Sequence, residues 1–212
     1  MKQIFHFINK YCEEHSSPPS QLLYELDRET HLKTLAPQML SGHLQGRFLS
    51  LLSRMLRPRY ILEIGTFTGY AAICLAEGLV EGGILHTIEV NPELEYLIKK
   101  YLEKGKLEHK ITSHIGNAKI IIPTLDVPEY DLVFIDAGKK DNDYYYELML
   151  PKVRKGGILI VDNVLWDGKV THQLNDSITK QISHFNQKIK EDTRVDNLML
   201  PIRDGMLMMI KK

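Results

Sequence analysis

Cysteine is scarce in this chain: Cys12 and Cys74 are the two among 212 residues. They lie far apart and fit no metal-ligand or redox spacing, which excludes a thiolate zinc cage and a disulfide-stapled fold. Cys74 falls inside Ala71-Ala72-Ile73-Cys74-Leu75-Ala76 and reads as a small core residue. Two unpatterned thiols suit a reducing, cytoplasmic setting. No stretch is long and apolar enough to span a bilayer. Residues 1–10 are too short and too polar a start for a signal peptide. Neither charge is in excess: Lys plus Arg and Asp plus Glu are 27 each, for a formal net charge of zero. That balance removes the usual electrostatic case for nonspecific nucleic-acid binding, a local basic patch apart. The dinucleotide fingerprint G-x-G-x-x-G is missing, as are internal repeats and low-complexity segments. What the chain does have is 43% hydrophobic residues. At this length they suffice for one domain with a sizeable core, divided into a helical segment, 1–57, and a larger core, 58–212.

Within 1–57, Ile4, Phe7, Ile8 and Tyr11 share one helical face. After Ser16-Ser17-Pro18-Pro19, Ser20 is placed to cap a second helix carrying Leu22, Leu23 and Leu26. A third helix carries Leu44, Phe48, Leu51, Leu52 and Met55 along one side, and the loop 36–42 precedes it. From Arg59 onward strands alternate with helices. Strands are expected at 60–64, 84–90, 111–115, 130–136 and 158–162, with helices near 70–80, after Pro92, as a short helix between the third and fourth strands, and over 143–150. A loop rich in Asp and Gly leads to a helix with Ile178, Ile182, Phe185 and Ile189 on one face. Two strands, 194–200 and 206–210, finish the chain as a hairpin. The alternation argues for βαβ units, so the fold class is α/β: a mixed sheet, parallel except for the C-terminal hairpin, with helices on both faces.

Two strand ends concentrate the chemistry. Phe134-Ile135-Asp136-Ala137-Gly138-Lys139 and Ile158-Leu159-Ile160-Val161-Asp162-Asn163 are apolar runs that stop abruptly in oxygen-bearing residues. Buried parallel strands read this way, and their carboxyl ends face the crevice where open α/β sheets bind ligands. Asp136, Asp162 and Asn163 offer hard oxygen ligands and no sulfur, which suits magnesium, manganese or calcium better than zinc. A lysine beside such an ion is a candidate base. Lys139 and Lys140 both qualify by type, and the three-residue spacing from Asp136 favours Lys139. Upstream, Glu63-Ile64-Gly65-Thr66-Phe67-Thr68-Gly69 has the form E-x-G-x-x-x-G. Glycines let the backbone approach a ligand closely, although any strand–turn–helix can use a glycine pair. An acid before the first glycine repels a pyrophosphate and suits a cationic ligand. Glu89 ends the next strand, where an acid commonly holds ribose hydroxyls. Together these features point to a nucleoside-bearing ligand.

In these residues the chain resembles the class I S-adenosylmethionine-dependent methyltransferases, and more narrowly the cation-dependent O-methyltransferases of the caffeoyl-coenzyme A and catechol type. The resemblance runs from about Met39 to the C-terminus. It rests on Leu62 to Tyr70, Glu89-Val90-Asn91-Pro92, Phe134 to Lys139, Asp162 to Gly168, and Asp204-Gly205, all in order and at family spacing. It implies a seven-stranded Rossmann-like sheet ending in an antiparallel hairpin. It further implies that Asp136, Asp162 and Asn163 hold the metal and that Lys139 is the catalytic base. S-adenosylmethionine would be held by Glu63, Gly65, Thr66 and Ala71, by Glu89 at the ribose, and by Ser41, Ala118 and Asp136. A homodimer is implied as well. Three positions depart from the family: Gly138 stands where an acid is common, Ala71 where a serine is common, and Leu198 where the animal enzymes carry an acid that positions a catechol.

The chemistry explains the set. Methyl transfer from a sulfonium to oxygen is an in-line displacement, so the enzyme must supply an oxyanion and align it. A phenol has a pKa of about 10, and a chelated divalent cation lowers that value while fixing the acceptor. Met39 and Trp166 are candidates to wall an aromatic acceptor, or to pack in the core or at an interface. The nine histidines show no ligand spacing. Arg54, Arg57 and Arg59, and the lysines over 99–106, read as solvated faces. The expected reaction is therefore magnesium-dependent O-methylation of a small aromatic. The alternatives are methylation of a hydroxylated uridine in transfer RNA, a nicotinamide oxidoreductase on a similar sheet, and a non-catalytic nucleoside-binding module. No membrane partner is expected.

Overall fold

The computed structural model describes residues 2–172 and 176–212, with side chains from residue 7 onward. Seven strands form one sheet: β1 (Tyr60–Ile64), β2 (Ile84–Glu89), β3 (Ile111–Ile115), β4 (Tyr130–Ile135), β5 (Val153–Asp162), β6 (Val195–Leu200) and β7 (Met206–Lys211). Their order is β3-β2-β1-β4-β5-β7-β6. β1 to β5 are parallel, and β7 runs antiparallel to both β5 and β6. The mixed sheet and its terminal hairpin are those expected from the strand–helix alternation.

Period-two alternation sorts the strand side chains between two cores. Ile61, Leu85, Leu132, Phe134, Ile158 and Ile160 face one side. Leu62, Ile64, Ile88, Val133, Ile135, Leu159 and Val161 face the other. Both faces are covered, which is why the strands read as unbroken apolar runs. The first core is closed by α2 (Gln21–Lys33), α3 (Gly42–Leu56), α4 (Tyr70–Ala76) and α5 (Glu95–Lys104). The second is closed by α6 (Ala118–Ile121), α7 (Asn142–Met149) and α8 (Ser177–Glu191). Ser20 caps α2 as expected, its side chain accepting from the Leu23 amide. At the opposite edge from the site, Asp131 ties three strand starts together. Its Oδ2 accepts the amides of Arg59 (2.8 Å) and Tyr60 (2.9 Å), and its Oδ1 accepts from Arg154 Nε at 2.6 Å.

Four local expectations need correction. The buried stripe of α3 is Gln45, Gly46, Leu49, Ser50, Leu52 and Ser53, while Leu51 and Met55 are exposed. The reason is close packing on α4: a Cβ at Gly46 would lie 2.5 Å from a Tyr70 ring carbon, so small residues line the contact and large ones turn outward. On α1 (Lys2–Glu14), Phe7, Ile8 and Tyr11 likewise face solvent. The side chain of Ile4, Met1, and positions 173–175 of the loop before α8 lie outside the described residues. β5 begins at Val153, not at Ile158, because residues 154–157 bulge outward, with Gly156 at φ 73°, and the strand then resumes. Finally, Lys100 and Lys104 are not merely solvated. They bond Glu29 and Glu25, fastening α5 to α2. Among the described residues no helix is long and apolar enough to cross a membrane.

Candidate active site

The strand order reverses between β1 and β4, so their carboxyl ends diverge into a crevice. Past the strands the ladder continues: Asp136 N donates to Ile64 O at 2.8 Å, and Gly65 N to Ile88 O at 2.9 Å. Gly65 has φ 100°, and a Cβ there would sit 2.2 Å from the Asp136 carbonyl oxygen, so only glycine fits. These two strand ends floor a cavity of about 780 Å³. Glu89, Ala118, Lys139, Asp162 and Asn163 stand on its wall, as do Met39 and Trp166. A side recess brings Ser41, Thr66 and Ala71 against Gly65 and Asp136.

Glu89 is aimed by the backbone. Its two carboxylate oxygens accept the amides of Phe67 (2.7 Å) and Asn91 (2.9 Å), which hold it at the cavity wall. Glu63 behaves differently from the other donor-site candidates: it is fully buried beneath the loop and does not line the cavity. Thr87 Oγ1 donates to its Oε2 at 2.5 Å and is itself bonded to Thr66 Oγ1, so Glu63 supports the glycine loop from below. Burial raises its pKa well above the ordinary carboxylate value, and the nearby charges of Asp136 and Glu89 add to the rise. A second buried hydroxyl contact, Thr30 to Thr68 at 2.9 Å, anchors the loop to α2.

At the other end of the cavity two carboxylates converge. Lys139 Nζ donates to Asp136 Oδ1 at 2.8 Å. Burial pushes the Asp136 pKa up to about 6; the charge of Asp162 adds to this and the ammonium of Lys139 opposes it. Asp162 accepts Gln45 Nε2 at 2.9 Å and the Asn163 amide at 2.8 Å. Asn163 has φ 60°, a left-handed conformation that asparagine tolerates, and its side chain bonds Asp204. Among the described residues no three carboxylates, imidazoles or thiols meet as a metal cage. The set here is instead the buried carboxylate of Asp162, the part-buried carboxylate of Asp136 and an amide. It fits a hard divalent cation, whose charge would offset the desolvation and the repulsion from Asp162 that raise Asp136. Lys139 lines the cavity and Lys140 does not, which separates the two candidate bases.

Three contributors escaped the sequence reading. Gln45 reaches Asp162 from α3, and the only signal for it was a polar residue on a helix's inner stripe. Arg203, in the β6–β7 turn, donates to the carbonyls of Leu40 and Gln38 and so holds the segment bearing Met39 and Ser41. Lys119 stands on the cavity wall and bonds Asp141 at 2.8 Å across it. Leu198 does not occupy an acceptor-positioning place: it lies half-exposed on β6 and is absent from the cavity lining, which that hairpin reaches through Arg203. At Gly138 an added Cβ would meet open space, so the missing acid leaves the cavity rim wider there.

The family model described as O-methyltransferase matches residues 13–212, so the likeness begins well before Met39. A probable caffeoyl-CoA O-methyltransferase 1 of Dictyostelium discoideum is 34% identical over 211 residues, covering 96% of this chain and 91% of that protein. Two solved structures superpose closely. The SAH-bound O-methyltransferase of Bacillus cereus has a TM-score of 0.88 and 30% identity, with 97% of each chain covered. The SAH-bound methyltransferase PaMTH1 of Podospora anserina has a TM-score of 0.90 and 27% identity, with 99% of this chain and 96% of that one covered. With its sheet order, its glycine turn at β1 and its near-complete alignment to these proteins, the chain belongs to the class I S-adenosylmethionine-dependent O-methyltransferases of the caffeoyl-CoA type.

Proposed function

We propose that this protein methylates a hydroxyl of a small aromatic with adjacent hydroxyls, using S-adenosylmethionine and a divalent cation held by Asp136, Asp162 and Asn163. The carrying observation is the 2.8 Å contact between Lys139 Nζ and Asp136 Oδ1, at the wall of the cavity that Glu89 also lines. One carboxylate thus links the base to the cation set, a short step from the nucleoside end. The SAH seen in the two solved relatives supports the donor. In this reading Glu89 accepts hydrogen bonds from the ribose hydroxyls, and Gly65, Thr66, Ser41, Ala71 and Ala118 shape the rest of the donor site, with Glu63 beneath them. The cation, when bound, acts as a Lewis acid on the acceptor oxygens. Lys139, in its neutral form, takes the hydroxyl proton. Trp166 and Met39 wall the ring and keep the nucleophile in line with the methyl carbon, within about 3–3.5 Å. A homodimer is part of the proposal, supported by the exposed apolar residues Ile8, Tyr11, Leu51 and Met55. So is a reducing, cytoplasmic setting, supported by the free thiols Cys12 and Cys74.

The test is labelled methyl transfer to a panel of catechols, caffeoyl esters and bulk transfer RNA, with and without EDTA. Transfer to a catechol or caffeoyl ester that stops with EDTA and is abolished by Asp162→Ala supports the reading. Transfer indifferent to EDTA defeats the cation, and transfer to transfer RNA alone defeats the acceptor.

A further inference from the structure

Gln45 reaches the site from outside the cavity. It is fully buried in the inner stripe of α3 and lines neither the main cavity nor its side recess. Its Nε2 nevertheless donates to Asp162 Oδ2 at 2.9 Å, across 117 residues of sequence. The other carboxylate oxygen, Oδ1, accepts the Asn163 amide at 2.8 Å. Each oxygen of Asp162 thus has a fixed donor, one from α3 and one from the end of β5. A carboxylate oxygen accepts at more than one position, so both keep capacity for a ligand on the cavity side.

The far end of the glutamine shows what the contact is for. Gln45 Oε1 is sealed from solvent and has no hydrogen-bond partner. The amide cannot turn over to mend this, because an ionised carboxylate only accepts and must face the nitrogen. Methionine would fill the same space without stranding an acceptor, but Asp162 would then lose its donor. A buried unpaired oxygen in a native core calls for a functional reason, and here it accompanies the holding of one carboxylate. A lysine or arginine would hold Asp162 more strongly, yet would cancel the negative charge that a divalent cation needs. A neutral donor orients the carboxylate and leaves its charge intact.

We propose that Gln45 is a positioning residue for Asp162: it sets the carboxylate for the cation without lining the space that donor and acceptor fill. The proposal rests on the cation reading above. The competing role is a plain tie between α3 and β5.

Manganese binding to the full chain with SAH present, followed by the paramagnetic resonance of the free ion, tests the proposal with the volume-conserving Gln45→Met. Saturable binding is expected in the unmodified chain, weakened about tenfold or more in the variant, with SAH affinity held within about twofold. The melting temperature in EDTA changes little, because the lost bond and the removed orphan oxygen offset each other. In steady-state kinetics the apparent KM for magnesium rises by the same factor, while kcat at saturating magnesium and KM for S-adenosylmethionine hold. Equal manganese affinity in the variant overturns the proposal. So does a parallel loss of SAH affinity and of melting temperature in EDTA, which marks Gln45 as a tie alone. A second measurement needs no variant. Magnesium drawing on Asp162 weakens its bond from Gln45, so the side-chain amide resonance of Gln45 shifts with the midpoint of ion binding; a resonance that stays in place overturns the proposal. If the unmodified chain binds no manganese yet transfers methyl groups, the cation reading itself falls. If it binds manganese and Gln45→Met binds it equally, only the role of Gln45 falls.

Discussion

At Asp136 several pressures meet in one side chain. Burial and the charge of Asp162 raise its pKa from 3.8 to about 6, against the pull of Lys139. A raised acid is easier to protonate in the folded state, so its ionisation subtracts from stability as pH climbs from 3.8 toward 6 and by a constant amount above. A cation bound there reverses that penalty, and protonation displaces the cation. Magnesium should therefore raise the melting temperature at about pH 8 and do so progressively less below about pH 6, as thermal melts with and without the ion will read. A magnesium shift that is flat across that range would remove Asp136 from the cation set. That Asp136, Asp162, Asn163 and Lys139 meet at one crevice was legible in the sequence, because an apolar strand ending in oxygen donors announces a crevice. The direction in which Glu63 points was not legible, because sequence spacing does not say whether an acid faces the ligand or the loop's underside. Here the hydroxyls of Thr87 and Thr66 take that decision.

Among the elements, the strands were easier to read than the helices. A strand buried on both faces needs only an apolar run, whereas a helix face depends on what it packs against. α3 shows this: its large residues looked like a core stripe, but the approach of α4 at Gly46 and of Gly78 at Ser53 admits only small ones. β5 shows a related limit, since its bulge at 154–157 is set by its pairing with β4. The strand starts carry their own fastening. Burial works against ionised Asp131, but Arg154 and the amides of Tyr60 and Arg59 outweigh it and hold its pKa below 3.8. A depressed acid stabilises above its unfolded pKa and loses that contribution as pH falls through the folded value. Asp131→Ala should thus lower stability by about 2 kcal/mol at neutral pH, about 4–8 °C in melting temperature, with the deficit shrinking below about pH 4. Equal melting curves at neutral pH would show that β1, β4 and β5 do not depend on this residue.

On the scale of the whole molecule, the mixed sheet and its terminal hairpin were foreseeable, while the surface was not. The apolar face of α1 leaves Ile8 and Tyr11 exposed, and α3 adds Leu51 and Met55. Single-sequence periodicity finds an apolar face but cannot tell a core from an interface. If these residues serve an interface, light scattering will give about twice the 24.5 kDa chain mass, and Met55→Lys will move it toward one. A mass of one chain at micromolar concentration would refute pairing. The bonds from Arg203 to the carbonyls of Leu40 and Gln38 carry another meaning during synthesis, because they join segments 163 and 165 residues apart. The ribosome delivers the glycine loop well before Arg203. At roughly 5–20 residues per second, roughly 7–28 seconds pass between them. Throughout that interval the nascent chain owns a donor loop without the clamp that closes it, so competence arrives as a single late event and a prematurely released chain is born without it.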